Sequence, residues 1–135
     1  MRLTTKYRFA ASHRLNLEQL SPEENLRIFD KCNNPHGHGH DYTLEVTVEG
    51  PVGEDGQVVN RARLNALLEE RVVSRLDHKN LNCDVDEFVG INPTTENLAE
   101  LIREWIETGW PFEPRFVKLT IIETPKNTFV WEAAC

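Results

Sequence analysis

The sequence predicts an α+β domain: a four-stranded antiparallel sheet with two helices laid over one face, in the order ββααββ. Three observations predict it. Two stretches of two-residue hydrophobic alternation open the chain, two apolar stripes of helical period follow, and two more alternating stretches close it. The 135 residues, 39% hydrophobic and 27% charged, suit one domain spanning 1–135.

In the first strand the odd positions Leu3, Thr5, Tyr7, Phe9, Ala11 and His13 share a face. Glu18 to Asn34 is polar, is punctuated by Ser21-Pro22-Glu23-Glu24-Asn25, and reads as a long loop with room for one helical turn. From His38 to Glu49 the alternation is cleaner: His38, His40, Tyr42, Leu44, Val46 and Val48 fall on one side, Asp41, Thr43, Glu45, Thr47 and Glu49 on the other. The turn formers Gly50 to Gly56 end this strand. Asn60 can then cap a helix carrying Leu64, Leu67, Leu68 and Val72, which should stop before Asp77. A second helix should start at Thr94 or Thr95, bury Leu98, Leu101, Ile102, Trp105 and Ile106, and end at Gly109 and Pro111. The third strand alternates Val117, Leu119, Ile121 and Glu123 against Lys118, Thr120 and Thr124, and the fourth puts Phe129, Trp131 and Ala133 on one face. Such a sheet leaves one face and two edges bare, which predicts oligomerisation through the sheet.

Charge and composition exclude several functions. Fifteen Lys and Arg against 22 Asp and Glu leave a net charge of −7, which argues against a nucleic-acid partner. No stretch approaches the ~20 apolar residues of a membrane helix, and Met1 to Lys6 lacks the apolar block of a secretory signal, so a cytoplasmic location is expected. Cys32, Cys83 and Cys135 lack the spacing of a disulfide scaffold and should be free thiols.

The chemistry concentrates around the histidines. Residues two apart on a strand lie roughly 6.6 Å apart and point the same way, so His38 and His40 can converge on one metal. His13, at the end of the first strand on its apolar parity, is the natural third ligand. Three neutral imidazoles leave Zn²⁺ its full charge and one open position, as in a catalytic site. His36 with His38 is an alternative chelate that periodicity does not exclude. The uninterrupted run from His40 into the Tyr42 face favours the later pair.

Cys32, six residues before His38, can serve as a general base if a neighbouring cation lowers its pKa. Asp77-His78 could form a proton relay, though adjacency alone also fits a solvated turn. Glu123 enters an apolar face and must find a partner, either a buried cation or a ligand offering two parallel N–H donors, such as an aminopyrimidine edge. Thr94 and Thr95 fit helix capping at least as well as ligand contact.

The run Cys32-Asn33-Asn34-Pro35-His36-Gly37-His38-Gly39-His40-Asp41-Tyr42 resembles the signature of the 6-pyruvoyl-tetrahydropterin synthase and 6-carboxytetrahydropterin synthase family. So do Ala11-Ser12-His13-Arg14-Leu15, Leu76-Asp77-His78-Lys79-Asn80-Leu81, Thr94-Thr95-Glu96-Asn97 and Glu123-Thr124. The resemblance implies the tunnelling fold (T-fold), whose ββααββ subunits close into a trimeric barrel and stack as a hexamer, a dimer of trimers. It implies zinc on His13, His38 and His40, a proton-transferring Cys32, assistance from Asp77 and His78 of a neighbouring subunit, and pterin held by Glu123 with Thr94 and Thr95 beside it. The implied substrate is 7,8-dihydroneopterin triphosphate and the implied product 6-pyruvoyl-tetrahydropterin, with triphosphate eliminated. By chain position alone, Arg14, Arg27, Lys31 and Lys79 are the candidate cations for that polyanion. The spacing of Cys32 to His38 is of the pyruvoyl type, whereas Cys32 to His36 has the spacing common in the carboxy enzymes of the queuosine pathway. A non-catalytic zinc or pterin-binding module is the rival from another functional class.

Overall fold

The computed structural model describes residues 1–135. Strand β1 (Arg2–His13) pairs antiparallel with β2 (His38–Glu49) from Arg2 opposite Glu49 to His13 opposite His38. The register is set by burial: Phe9 and Ala11 on β1, and Tyr42, Leu44, Val46 and Val48 on β2, all face the core. A slip of one residue would turn this whole set to water, and each fully buried aliphatic or aromatic side chain contributes about 1.5–3 kcal/mol.

Between these strands the expected loop is more ordered than its composition suggests. Helix α1 (Pro22–Phe29) starts at Ser21, whose hydroxyl accepts from the Glu24 N–H, and a 3₁₀ turn (Asp30–Asn33) follows directly. Asn25 is buried and clamps the approach, accepting from the Leu17 N–H and donating to the Leu17 carbonyl.

Helix α2 (Arg61–Leu68) begins at Asn60, whose side chain accepts from the Arg63 N–H, as expected. It continues through a π turn (Glu69–Val73) into α3 (Ser74–Leu76), so the helical run ends before Asp77. The wider turn lets Val72 and Val73 both point inward. Beyond it lie a two-residue strand, β3 (Lys79–Asn80), and the short helix α4 (Leu81–Asp84). Helix α5 (Thr95–Glu107) is capped by Thr94, whose hydroxyl accepts from the Asn97 N–H, and buries Leu98, Ile102 and Ile106. The Arg71 guanidinium donates to the carbonyls of Trp105, Ile106, Thr108 and Gly109, binding the π turn to the end of α5.

Strands β4 (Arg115–Thr124) and β5 (Asn127–Glu132) complete a sheet of order β3-β1-β2-β4-β5. The four long strands form as expected. The fifth, β3, runs parallel to β1 and pairs only Ala11 with Lys79 and Ser12 with Asn80. Both helical runs pack on one face and share one core with it. A second departure lies in β4, where a bulge between Thr47 and Val48 of the pairing sets Phe116, not Val117, opposite Val48 in the core cluster. The alternation of Leu119, Ile121 and Glu123 beyond the bulge is as expected. No helix is long and apolar enough to cross a membrane.

Candidate active site

The register of β1 and β2 puts three imidazoles at one end of the sheet: His13 ends β1, His38 opens β2 directly opposite it, and His40 pairs across to Ala11. The His40 ring centroid lies 5.1 Å from that of His13 and 4.4 Å from that of His38, edge-on to both. His13 is buried, and its Nδ1 is 2.8 Å from the Pro93 carbonyl oxygen. A carbonyl only accepts, so Nδ1 carries the proton and Nε2 keeps its lone pair. The Nε2 atoms of both His13 and His40 are buried without any hydrogen-bond partner.

Burial lowers the pKa of His13 and of His40, only partly opposed at His13 by the Pro93 hydrogen bond and at His40 by the Glu123 charge. Both rings are therefore held neutral. Two buried, unpartnered, neutral imidazole nitrogens are costly in an apolar site and are what a transition-metal ion takes as ligands, with the Nδ1–H of His13 fixed from behind.

Cys32 joins them from the 3₁₀ turn: its Sγ and one nitrogen each of His13 and His40 lie within 4.8 Å of one another. The turn is fastened by Leu15 N–H donating to the Cys32 carbonyl at 2.7 Å and by Asn33, whose amide donates to the Leu15 carbonyl and to Asn16 Oδ1. Burial, then the negative charges of Glu123 and Asp30, push the Cys32 thiol up, so a cation at the imidazoles is needed to favour the thiolate. Glu123 meets Thr95, whose hydroxyl donates to its Oε2, and its charge reaches His13, His40 and Cys32. Its partner is thus a hydroxyl rather than a buried cation, which leaves the carboxylate free to accept more.

Not every expected residue joins this cluster: His38, expected as a third ligand, touches the His40 ring but is not in the close group that Cys32 forms with His13 and His40. Asp77 accepts from the Ala10 N–H at 2.8 Å and lies 3.5 Å from His78 Nε2. His78 has a positive φ of 59°, its N–H donates to the Ala10 carbonyl, and its side chain is 84% exposed. The pair therefore sits on the outer side of β1, and His78 lines an open depression of about 440 Å³ together with Gly39, His40 and Asp41. His36 is exposed and stands outside the group, its N–H donating to Asn34 Oδ1. Thr94 has its hydroxyl occupied as the α5 cap. Arg14 donates from Nε to the Asn33 carbonyl, while Arg27, Lys31 and Lys79 are exposed. The cysteines Cys83 and Cys135 are exposed and free.

Two contributors were not expected. Asn33 reads as a loop residue, and its only signal is its place beside Cys32. The Pro93 carbonyl is backbone and carries no sequence signal at all.

The sequence profile described as 6-pyruvoyl tetrahydropterin synthase matches residues 2–134. Over 126 residues the chain is 47% identical to the 6-pyruvoyl tetrahydrobiopterin synthase of Drosophila melanogaster, covering 93% of this chain and 75% of that one. The human protein of the same name is 44% identical over 125 residues, covering 92% and 86%. Among solved structures, the Caenorhabditis elegans 6-pyruvoyl tetrahydropterin synthase superposes with a TM-score of 0.90 at 36% identity, covering 99% of this chain and 96% of that one.

Proposed function

This chain belongs to the 6-pyruvoyl tetrahydropterin synthase family, and from that membership we propose that it is a zinc-dependent lyase converting 7,8-dihydroneopterin triphosphate to 6-pyruvoyl-tetrahydropterin with elimination of triphosphate. The observation that carries this reading is the convergence of two unpartnered buried imidazole nitrogens with one thiol.

His13, His38 and His40 would hold the ion. Bound there, Zn²⁺ would supply Lewis acidity to the side-chain hydroxyls of the substrate, acidifying the C–H bonds of the carbons that bear them. Cys32, as thiolate, removes the proton. Glu123 accepts the paired N–H donors of the aminopyrimidine edge, with Thr95 holding one carboxylate oxygen and Thr94 at the same helix entrance. Arg14, Arg27, Lys31 and Lys79 supply positive charge for the triphosphate in an otherwise acidic protein.

Asp77 and His78 return protons during the tautomerisation, acting on the site of a neighbouring copy. Their placement on the outer side of β1 supports this division of labour, as do the free edges of β3 and β5 in the sheet order. Residues 1–135 act as one catalytic unit, six copies of which assemble as two stacked trimeric barrels. The cytosol, a reducing compartment, keeps Cys32 a thiol.

Mass spectrometry after incubation of the zinc-loaded protein with 7,8-dihydroneopterin triphosphate tests the reading. The expected products are 6-pyruvoyl-tetrahydropterin and triphosphate. Release of a two-carbon fragment with a 6-carboxy product, or recovery of intact substrate, would overturn it.

A further inference from the structure

Tyr42 carries a hydroxyl that none of the chemistry above employs. Its ring is fixed on two sides: Phe9 stacks on it with centroids 5.0 Å apart and 18° between planes, and the His40 ring meets it at 5.5 Å. The side chain is 1% exposed, and its oxygen is buried without a hydrogen-bond partner. Strand pairing explains what lies around it. Thr43 opposite Ile122 is the last pair of β2 with β4, so Tyr42 and Glu123 are the next residues on the two strands. The register places Tyr42 opposite Glu123 with its buried ring turned into the core, on the face where Thr95 donates to the Glu123 carboxylate.

The three polar groups are complementary in hydrogen-bonding capacity. Thr95, 2% exposed, has committed its single proton to Glu123 and keeps lone pairs that can accept. Tyr42 has a proton and no acceptor. Thr95 Oγ1, its proton given to Glu123 and its lone pairs free, is an acceptor suited to that proton.

We propose that Tyr42 is a positioning residue for the substrate-binding carboxylate, its O–H donating to Thr95 Oγ1 while Thr95 donates to Glu123. The two-bond relay fixes the plane of the carboxylate toward the N–H pair of the pterin. It is not a direct substrate contact, because the phenol oxygen is fully enclosed. This inference rests on the reading of Glu123 as the pterin anchor.

The test is Tyr42→Phe in the zinc-loaded full chain, a change that keeps the ring and its packing. KM for 7,8-dihydroneopterin triphosphate should rise about tenfold, the upper scale of one hydrogen bond lost between neutral groups, with kcat changed less than about twofold. Bound zinc and thermal midpoint should match those of the parent protein. Introduced into Glu123→Gln, the same substitution should add nothing, since the group it orients is gone. Thr95→Ser should restore the KM that Thr95→Val raises. An unchanged KM in Tyr42→Phe, or a full tenfold effect persisting in the Glu123→Gln background, would overturn the relay. If Glu123→Gln itself leaves KM unchanged, the anchor reading fails, and a rise in Tyr42→Phe alone would then mark a role independent of Glu123.

Discussion

The Nδ1 of His13 lies 2.8 Å from the carbonyl oxygen of Pro93, a residue 80 positions away, and this one hydrogen bond turns the other nitrogen of the ring into the site as a lone pair. The turn before α5 thereby sets the tautomer of a residue on β1. Metal affinity follows from it. His13→Ala and His40→Ala should purify without stoichiometric zinc, read by elemental analysis, while Cys32→Ala should retain it. Full zinc occupancy in His13→Ala would remove that ring from the ligand set.

Stability without metal should depend on pH in a direction that the buried rings fix. His13 and His40 have pKa values lowered below 6.5 by burial, so the folded chain binds fewer protons than the unfolded chain once the pH falls through 6.5. The stabilisation from keeping them neutral is complete above that value and is lost as pH falls towards the folded pKa. The thermal midpoint of chelator-treated protein should drop between pH 7 and pH 5, before the bulk of the carboxylates titrate. A flat profile across that window would contradict the burial of both rings.

The meeting of His13 with His40 was legible in the sequence because strands have a period of two: parity alone put both on the face of Phe9 and Tyr42, whereas the approach of Cys32, which groups with them where His38 does not, depends on how the 3₁₀ turn folds. Helix α1 was not, and its side chains show why. Leu26 and Ile28 are 59% and 54% exposed while Asn25 is buried, so the helix has no apolar stripe toward the core and is held by the Ser21 cap and a polar clamp. Two-residue β3 has no periodicity to detect; its pairing is set by where α3 ends. The β4 bulge likewise left no mark, since Phe116 and Val117 are both apolar and either could serve as the inward residue. Glu123 could be seen to need a partner, but Thr95 as that partner depends on how α5 crosses the sheet.

Gly37 should tolerate no side chain. It adopts φ of 85°, and a Cβ there would lie 3.3 Å from the His13 carbonyl oxygen. Gly37→Ala therefore combines a left-handed backbone cost of about 1–3 kcal/mol with pressure on the residue that carries a ligand. The expected outcome is a chain that folds with a lowered thermal midpoint and binds zinc more weakly. Gly56→Ala serves as the control: its φ is 82°, but a Cβ there meets nothing within 4 Å, so it should lose stability without losing metal.

Asn33 offers the sharpest separation between holding the metal and holding the thiol. Its amide donates to the Leu15 carbonyl at 2.8 Å and to Asn16 Oδ1 at 2.9 Å, and the Leu15 N–H in turn donates to the Cys32 carbonyl. Asn33→Ala would leave two half-buried acceptors unpaired, at about 1 kcal/mol, and free the 3₁₀ turn to shift. None of the three imidazoles is borne on that turn. Zinc content should stay at one per chain while kcat falls about 10²-fold, the scale expected when a reacting group is misplaced by an ångström. Loss of zinc together with activity would instead mean that the turn supports the metal site as a whole.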